Sequence, residues 1–444
     1  MTKNVLLITI DSLRKDYLPL HADWSHTPAA EELFQKGVSF ESAFATGPAT
    51  AVSFPGILTG TLPLSCGGLG PLEESRPRLA SEMQKAGFQT GGFQSNPFLS
   101  HHFNYDVGFD TFEDYQNPLM GIATKIFPRG IEVNHPKLRR IDEKINLTKR
   151  IKDVYQLFRG KPRPYVGADV ITDDCIDWID DADSNFFAWA HYMDVHHPCF
   201  PPVEYRKEFD AADVTQEEVS EWYSALIRSP DTLNSEEIND LESLYCAAIK
   251  YTDHQIERIL RKLKEEGEFE DTLIIYTSDH GELFGDYGLY GKPERMYDEL
   301  LQVPYIVTNG PEYLESSKDE LLSLMDTMGI IFDAVGIDLP DSYEGIRPGH
   351  EQRDHIVGEH HAEGETVIGV RSEKWLFELD EMRDTKRLFE ITDKGIDERS
   401  VNQGDDYVQS VAEKRLSELD IETELLEEDL EEDVEDRLED LGYI

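Results

Sequence analysis

Three polar clusters in this chain each stand at the end of an apolar run: Asp11 after VLLITI, His196 after FFAWAHYMDV, and Asp279 with His280 after LIIYTS. Asp11, Asp279 and His280 offer two carboxylates and an imidazole, a donor set suited to a hard divalent cation. Calcium, magnesium, manganese and zinc all remain open on those ligand types. Thr50 lies between the first two clusters, in GPATAVSFPGILTG (residues 47 to 60), just before a short helical stretch. Amides at a helix start favour anions, so a hydroxyl there can attack a phosphoryl or sulfuryl centre while neighbouring N–H groups hold its oxygens. The same oxygen can complete the cation's shell. The ordinary use of Asp, Ser and Thr in such places is as helix caps or strand-end turns.

Bringing these residues together requires a sheet whose strands all deliver their carboxyl ends to one edge, which is where open α/β sheets bind ligands. The chain has the required alternation. Apolar strand patterns at 4 to 10 and 88 to 94 flank helical periods near 28 to 36, after Thr50 and at 78 to 86; strand and helix patterns resume at 168 to 192 and 243 to 277. That is an α/β fold of three layers around a largely parallel sheet. TVIGVRSEKWLFELDEMRDTKRLFEI reads instead as adjacent alternating strands, a small antiparallel sheet beside the main body. The boundary falls within 345 to 365, giving a catalytic unit over 1–355 and a C-terminal α+β subdomain over 356–444.

A chain of 444 residues exceeds the roughly 250–300 at which one core stops growing, in keeping with one large unit and one small. The formal charge of −48 is spread along the whole length. Such a surface repels itself in dilute buffer and tolerates concentrated salt, where the Debye length falls to about 3 Å at 1 M. The composition reads as that of a halophile's cytosolic protein, ahead of an ordinary acidic enzyme, because the acidic excess is so uniform. Cys66, Cys175, Cys199 and Cys246 form no CxxC pair and read as reduced thiols. The first strand pattern begins at Asn4 with no leader pattern before it, and no apolar run approaches membrane-spanning length, so the expected location is cytoplasmic. Asn146-Leu147-Thr148 then reads as a chance glycosylation pattern.

Residues 121 to 165 depart from this background, with 12 Lys or Arg against four Asp or Glu. Leu138, Ile141, Ile145, Ile151, Tyr155 and Phe158 fall near helical spacing there. The plain reading is a surface helix packed on an acidic body; the alternative is a lid or a peripheral contact of 138–159 with an anionic surface. Nucleic-acid binding is disfavoured by the overall charge. Residues 418 to 444 are strongly acidic with Leu426, Leu430, Val434, Leu438 and Leu441 on one stripe, and read as a docked terminal helix.

NVLLITIDSLRKDYL, ILTG, HYMDVHHPCFPP and SDHGELFGDYGLYGK, with GADVITDDCIDWID, YTDHQIERILRKLKEEGEFEDT and RLEDLGYI, together resemble the sulfatase family of the alkaline phosphatase superfamily, over nearly the whole chain. The resemblance implies an alkaline phosphatase-like fold and a metal-dependent ester hydrolase. It assigns Asp11, Asp279 and His280 to the metal, His196 to the leaving or non-bridging oxygen, and Lys292 to the anionic group. Many relatives carry a second aspartate where this chain has Ser12. Counting back from Leu-Thr-Gly places Thr50 where formylglycine-forming relatives carry Cys or Ser, with Val52 and Phe54 in place of Pro and Arg. Threonine cannot become formylglycine. Metal-bound threonine is the nucleophile in branches resembling nucleotide pyrophosphatases and phosphoethanolamine transferases, so the resemblance points to a threonine-nucleophile variant, from a halophilic archaeon on composition. Ser53 has the wrong offset. Ser95-Asn96 replaces a stretch whose Lys and His bind sulfate in relatives, and Val195 replaces a Pro.

The expected activity is hydrolysis of a phosphate or sulfate ester of a small molecule, glycan or lipid, with a phosphotransferase or phosphodiesterase on a sugar or lipid phosphate as the alternative. A catalytically silent, anion-binding relative is a third reading. Asp194, His197, His360 and His361 are candidates for a second metal, though packing or surface roles suit each of them. Oligomeric state is not encoded in these patterns.

Overall fold

The computed structural model describes residues 2–18, 20, 27–115, 165–362, 364–392, 395–404 and 406–420. All of the basic insert except Tyr165, including the 138–159 surface, lies outside the described residues, as does the acidic terminus beyond 420.

Seven strands form the main sheet: β1 Asn4–Ile10, β2 Gly37–Ser39, β3 Gln89–Phe93, β4 Thr111–Glu113, β5 Phe186–Tyr192, β6 Thr272–Ser278 and β7 Tyr305–Thr308. Their spatial order is β2-β7-β6-β1-β5-β3-β4. The five strands from β6 to β4 run parallel, and β7 and β2 add antiparallel pairs at one edge. Every residue of β1, β5 and β6 is buried. Covering both faces of a parallel sheet removes any need for polar alternation, which is why these strands read as unbroken apolar runs.

The two faces carry separate cores. On one, Val5, Leu7, Phe187, Trp189, Leu273 and Ile275 pack against helices Thr50–Thr59, Leu79–Lys85 and Asp326–Val335. On the other, Leu6, Ile8, Ala188, Ala190, Ile274 and Tyr276 meet helices Pro28–Lys36, Ala168–Asp180 and Ser235–Glu265. Helix, sheet and helix make the three expected layers.

Five more strands, β8 Ile356–Ala362, β9 Glu365–Arg371, β10 Trp375–Asp380, β11 Thr385–Thr392 and β12 Gly395–Arg399, form an antiparallel sheet in sequence order. Helix Asp406–Glu418 packs on it through Val408 and Ala412. This sheet grips the segment that follows Lys292. Arg295 Nη1 donates to Glu378 Oε1 at 2.5 Å and to Asp380 Oδ2 at 2.9 Å, and the Met296 amide donates to Glu378 Oε2 at 3.1 Å. Arg371 pairs with Asp298, and Arg387 Nη1 donates to the Tyr297 hydroxyl at 2.7 Å. Among the described residues no helix is long and apolar enough to cross a membrane, and all four cysteines are free.

Candidate active site

The ends of β1 and β6 are tied together before any side chain is presented. Ser278 Oγ donates to the Ile10 carbonyl at 2.6 Å and accepts the Leu13 amide at 2.9 Å. Between them Ser12 takes a left-handed backbone, φ 61°, which turns the chain sharply off β1. Its amide donates to Asp279 Oδ1 at 3.1 Å and its hydroxyl to Asp11 Oδ1 at 2.7 Å. Ser12, where relatives carry a ligand, here links the two carboxylates.

Asp11, Asp279 and His280 are buried, and their ligand atoms lie within 4.8 Å of one another. His280 Nδ1 lies 2.8 Å from the Gly281 carbonyl. A carbonyl only accepts, so the ring proton sits on Nδ1 and Nε2 keeps its lone pair. That nitrogen faces Thr50 Oγ1 at 3.3 Å, Asp279 Oδ2 at 3.5 Å and Asp11 Oδ1 at 3.8 Å. Burial, and then the charge of Lys292, push its pKa down to about 4, so the ring is neutral at physiological pH. Asp279 Oδ2 is buried with no hydrogen-bond partner. An orphaned carboxylate oxygen beside a bare imidazole nitrogen and a second carboxylate fits a divalent cation, which would satisfy all three at once.

Thr50 is the first residue of its helix, after an extended Ala49 that makes no side-chain cap. Its hydroxyl donates to Asp11 Oδ2 at 3.2 Å, so it points into the cluster and does not cap its own helix. The helix start is fixed from below, since Ser53 Oγ donates to the Asp279 carbonyl at 2.6 Å. Ser53 is therefore a strut. Phe54, at the position of the missing arginine, turns into the core against Trp189 and His191.

His196 is buried, with Nδ1 2.5 Å from the His197 carbonyl and its ring stacked on that of His197. Burial, the Lys292 charge and His197 hold its pKa well below the usual value, although Asp11 acts in the other direction. Half-buried Lys292 reaches Ser12 Oγ at 3.4 Å. Lys292 adjoins the cluster through Ser12, and His196 interacts electrostatically with Asp11. All six predicted site residues thus converge.

The second-metal quartet does not assemble. Asp194 accepts the Ala168 amide at 2.7 Å at the start of a helix, and His197 Nδ1 pairs with Glu282 Oε1 at 2.8 Å. His361 Nδ1 lies 3.0 Å from Thr366 Oγ1 in the C-terminal sheet, and His360 sits near Glu294. Asp194, His197 and His361 each answer to a local polar need, whereas His360 Nδ1 is buried without a hydrogen-bond partner.

Two residues escaped sequence reasoning. Asn96 Nδ2 donates to Asp11 Oδ2 at 2.9 Å and approaches Thr50 Oγ1 at 3.4 Å, so the Ser-Asn departure supplies a donor at the nucleophile. Its signal was a polar QSN directly after a strand pattern. His191 stands inside an apolar strand with Nε2 3.5 Å from Asp11 Oδ2; only strand register reveals it.

The model of the family described as Sulfatase matches residues 3–337. The chain is 26% identical over 398 residues to an arylsulfatase of Clostridium perfringens, covering 81% of this chain and 82% of that protein. It is 24% identical over 399 residues to the multifunctional alkaline phosphatase superfamily protein PehA of Trinickia caryophylli, covering 77% and 76%. Its fold superposes on the phosphonate monoester hydrolase SpPMH from Silicibacter pomeroyi with a TM-score of 0.67 at 22% identity, over 94% of each chain.

Proposed function

The chain belongs to the sulfatase family and is a sulfuric or phosphoric ester hydrolase, and on that premise we propose that it works through Thr50 as a metal-assisted nucleophile on phosphate esters ahead of sulfate esters. The observation that carries this reading is the Thr50 hydroxyl itself, held between Asp11 Oδ2 at 3.2 Å and His280 Nε2 at 3.3 Å. Threonine has no route to formylglycine, so the hydroxyl must act as it stands.

A divalent cation held by Asp11, Asp279 and His280, with the Thr50 oxygen, would lower the hydroxyl's pKa and neutralise charge on the transferred group. Thr50 Oγ forms a bond to phosphorus as the bond to the leaving oxygen breaks, giving phosphothreonine and an alcohol. The proton lost by Thr50 is returned to the leaving oxygen by way of His196. Lys292 and Asn96 hold non-bridging oxygens. Water then resolves the phosphothreonine, or a sugar or lipid hydroxyl takes its place in a transferase. The alcohol portion is a small molecule, glycan or lipid. A salt-rich cytoplasm is the working compartment, supported by the −48 charge and the free cysteines.

The test is a paired screen in multimolar KCl with manganese, magnesium, calcium or zinc, using phosphate mono- and diesters beside sulfate esters. Wild type, Thr50→Ala and Thr50→Ser are compared, with intact mass recorded. Phosphoesterase activity lost in Thr50→Ala and partly kept in Thr50→Ser is expected. Robust arylsulfatase turnover together with a modified residue 50 would sink the proposal.

A further inference from the structure

Thr9 and His191 are register partners across β1 and β5. Side chains two apart share a face of a sheet, so Thr9 and Asp11 on one strand meet Trp189 and His191 on the next. Trp189 Nε1 donates to Thr9 Oγ1 at 3.0 Å, and Thr9 Oγ1 lies 3.0 Å from His191 Nδ1. Indole nitrogen is a donor only. Thr9 Oγ1 accepts from Trp189 and has its own proton to give; since Asp11 Oδ2, which only accepts, faces the ring's other nitrogen at 3.5 Å, the arrangement that suits both ends has Thr9 donating to His191 Nδ1. A ring that accepts at Nδ1 carries its proton on Nε2.

His191 Nε2 is buried, makes no hydrogen bond of ordinary length, and faces Asp11 Oδ2 at 3.5 Å. Phe54 closes over the ring, edge to face, with centroids 4.9 Å apart. His191 is also absent from the set of ligand atoms lying within 4.8 Å of one another. A nitrogen that carries a proton has no lone pair for a metal, so tautomer and placement agree.

We propose that His191 is a positioning residue: the relay from Trp189 through Thr9 fixes it as an Nε2–H donor that orients the Asp11 carboxylate toward the cation. This rests on Asp11 being a cation ligand, as set out above. Partners behind a metal-binding carboxylate commonly govern affinity by about 10–100-fold.

The test has two arms. Wild-type protein with ring-¹⁵N histidine is studied in chelator by long-range ¹H–¹⁵N correlation, the His191 signal being identified by its loss in His191→Gln. The Nε2–H form is expected; a proton on Nδ1 in its place would overturn the proposal. Mn²⁺ affinity is then measured by calorimetry. His191→Asn, which keeps only the Nδ1 side, should weaken binding by about 10–100-fold, and His191→Gln, whose amide reaches toward the Nε2 position, should recover most of it. Thr9→Val keeps the packing and removes the relay hydroxyl, and should weaken binding in the same direction even if His191→Asn does not fold. Unchanged affinity in a folded His191→Asn or Thr9→Val protein also overturns the proposal. If wild type itself takes up no Mn²⁺, the cation reading fails, and the tautomer arm alone decides whether His191 donates to Asp11.

Discussion

Asp11 and Asp279 share one buried cluster with their charges pushed in opposite directions. Burial acts to raise both. For Asp279 it is reinforced by the Asp11 charge, and the carboxyl is pushed up to about 7. For Asp11 burial is outweighed by His196, His191, His280 and Lys292, which hold it well below the usual carboxylate range. Below pH 7 the metal-free pair therefore carries about one proton, on Asp279. A cation must displace it. Mn²⁺ affinity is expected to fall about tenfold per pH unit below 7 and to level off above it. Calorimetry in buffers of different ionisation enthalpy should register about one proton released per ion at pH 6, vanishing above pH 8; a pH-independent affinity would contradict the assignment.

In the proposed reaction Lys292 holds an oxygen of the ester and not the cation. Removing a positive charge beside a cation site cannot weaken cation binding by electrostatics. Lys292→Ala is thus expected to lower kcat by about 10²–10³-fold while Mn²⁺ binds at least as tightly as in wild type. Matched kinetics and calorimetry check the pair of outcomes, and a parallel loss of both would mean Lys292 holds the site's fold.

Arg295 holds two buried carboxylates, Glu378 and Asp380, of which Asp380 also has Arg383. Arg295→Met removes the nearest charge partner of both, leaving Glu378 with Arg387 at 3.9 Å and Asp380 with Arg383; losing one partner of a buried pair costs about 3–5 kcal/mol when no other remains, so a loss toward the lower end is expected. Glu378→Gln should cost less, because a neutral amide can stay buried without a partner charge. Denaturant midpoints would order the three proteins, and equal loss from both substitutions would refute the electrostatic account.

The −48 charge predicts that the thermal midpoint climbs with KCl from 0.1 M toward molar concentrations as self-repulsion is screened. A midpoint that is flat or falls over that range would remove the basis for a halophilic origin.

The strand ends were legible in the sequence because buried parallel strands leave long apolar runs, so the first polar residue after each run marks the edge where ligands gather. Asp11, Asp279 and His280 follow directly from this, and Thr50 from its place before a helix. His191 was hidden by the same rule: within FFAWAHY a single histidine looks like core, and only the pairing of Thr9 with His191 aims it at Asp11. Ser12 and Asn96 read as missing charges because side-chain type alone does not show direction; both supply hydrogen bonds to Asp11. The C-terminal sheet was visible in its alternation, whereas its grip on Arg295 spans 83 residues and leaves no local pattern.

That grip also sets an order of assembly on the ribosome. Asp11, Thr50, Asp279 and His280 have all been made before the strands that brace the Lys292 segment exist, since Arg371, Glu378 and Asp380 come about 90–100 residues after His280. Chains stalled before residue 371 are expected to carry every residue of the cation cluster yet turn over no ester, because the brace on the Lys292 segment is still missing.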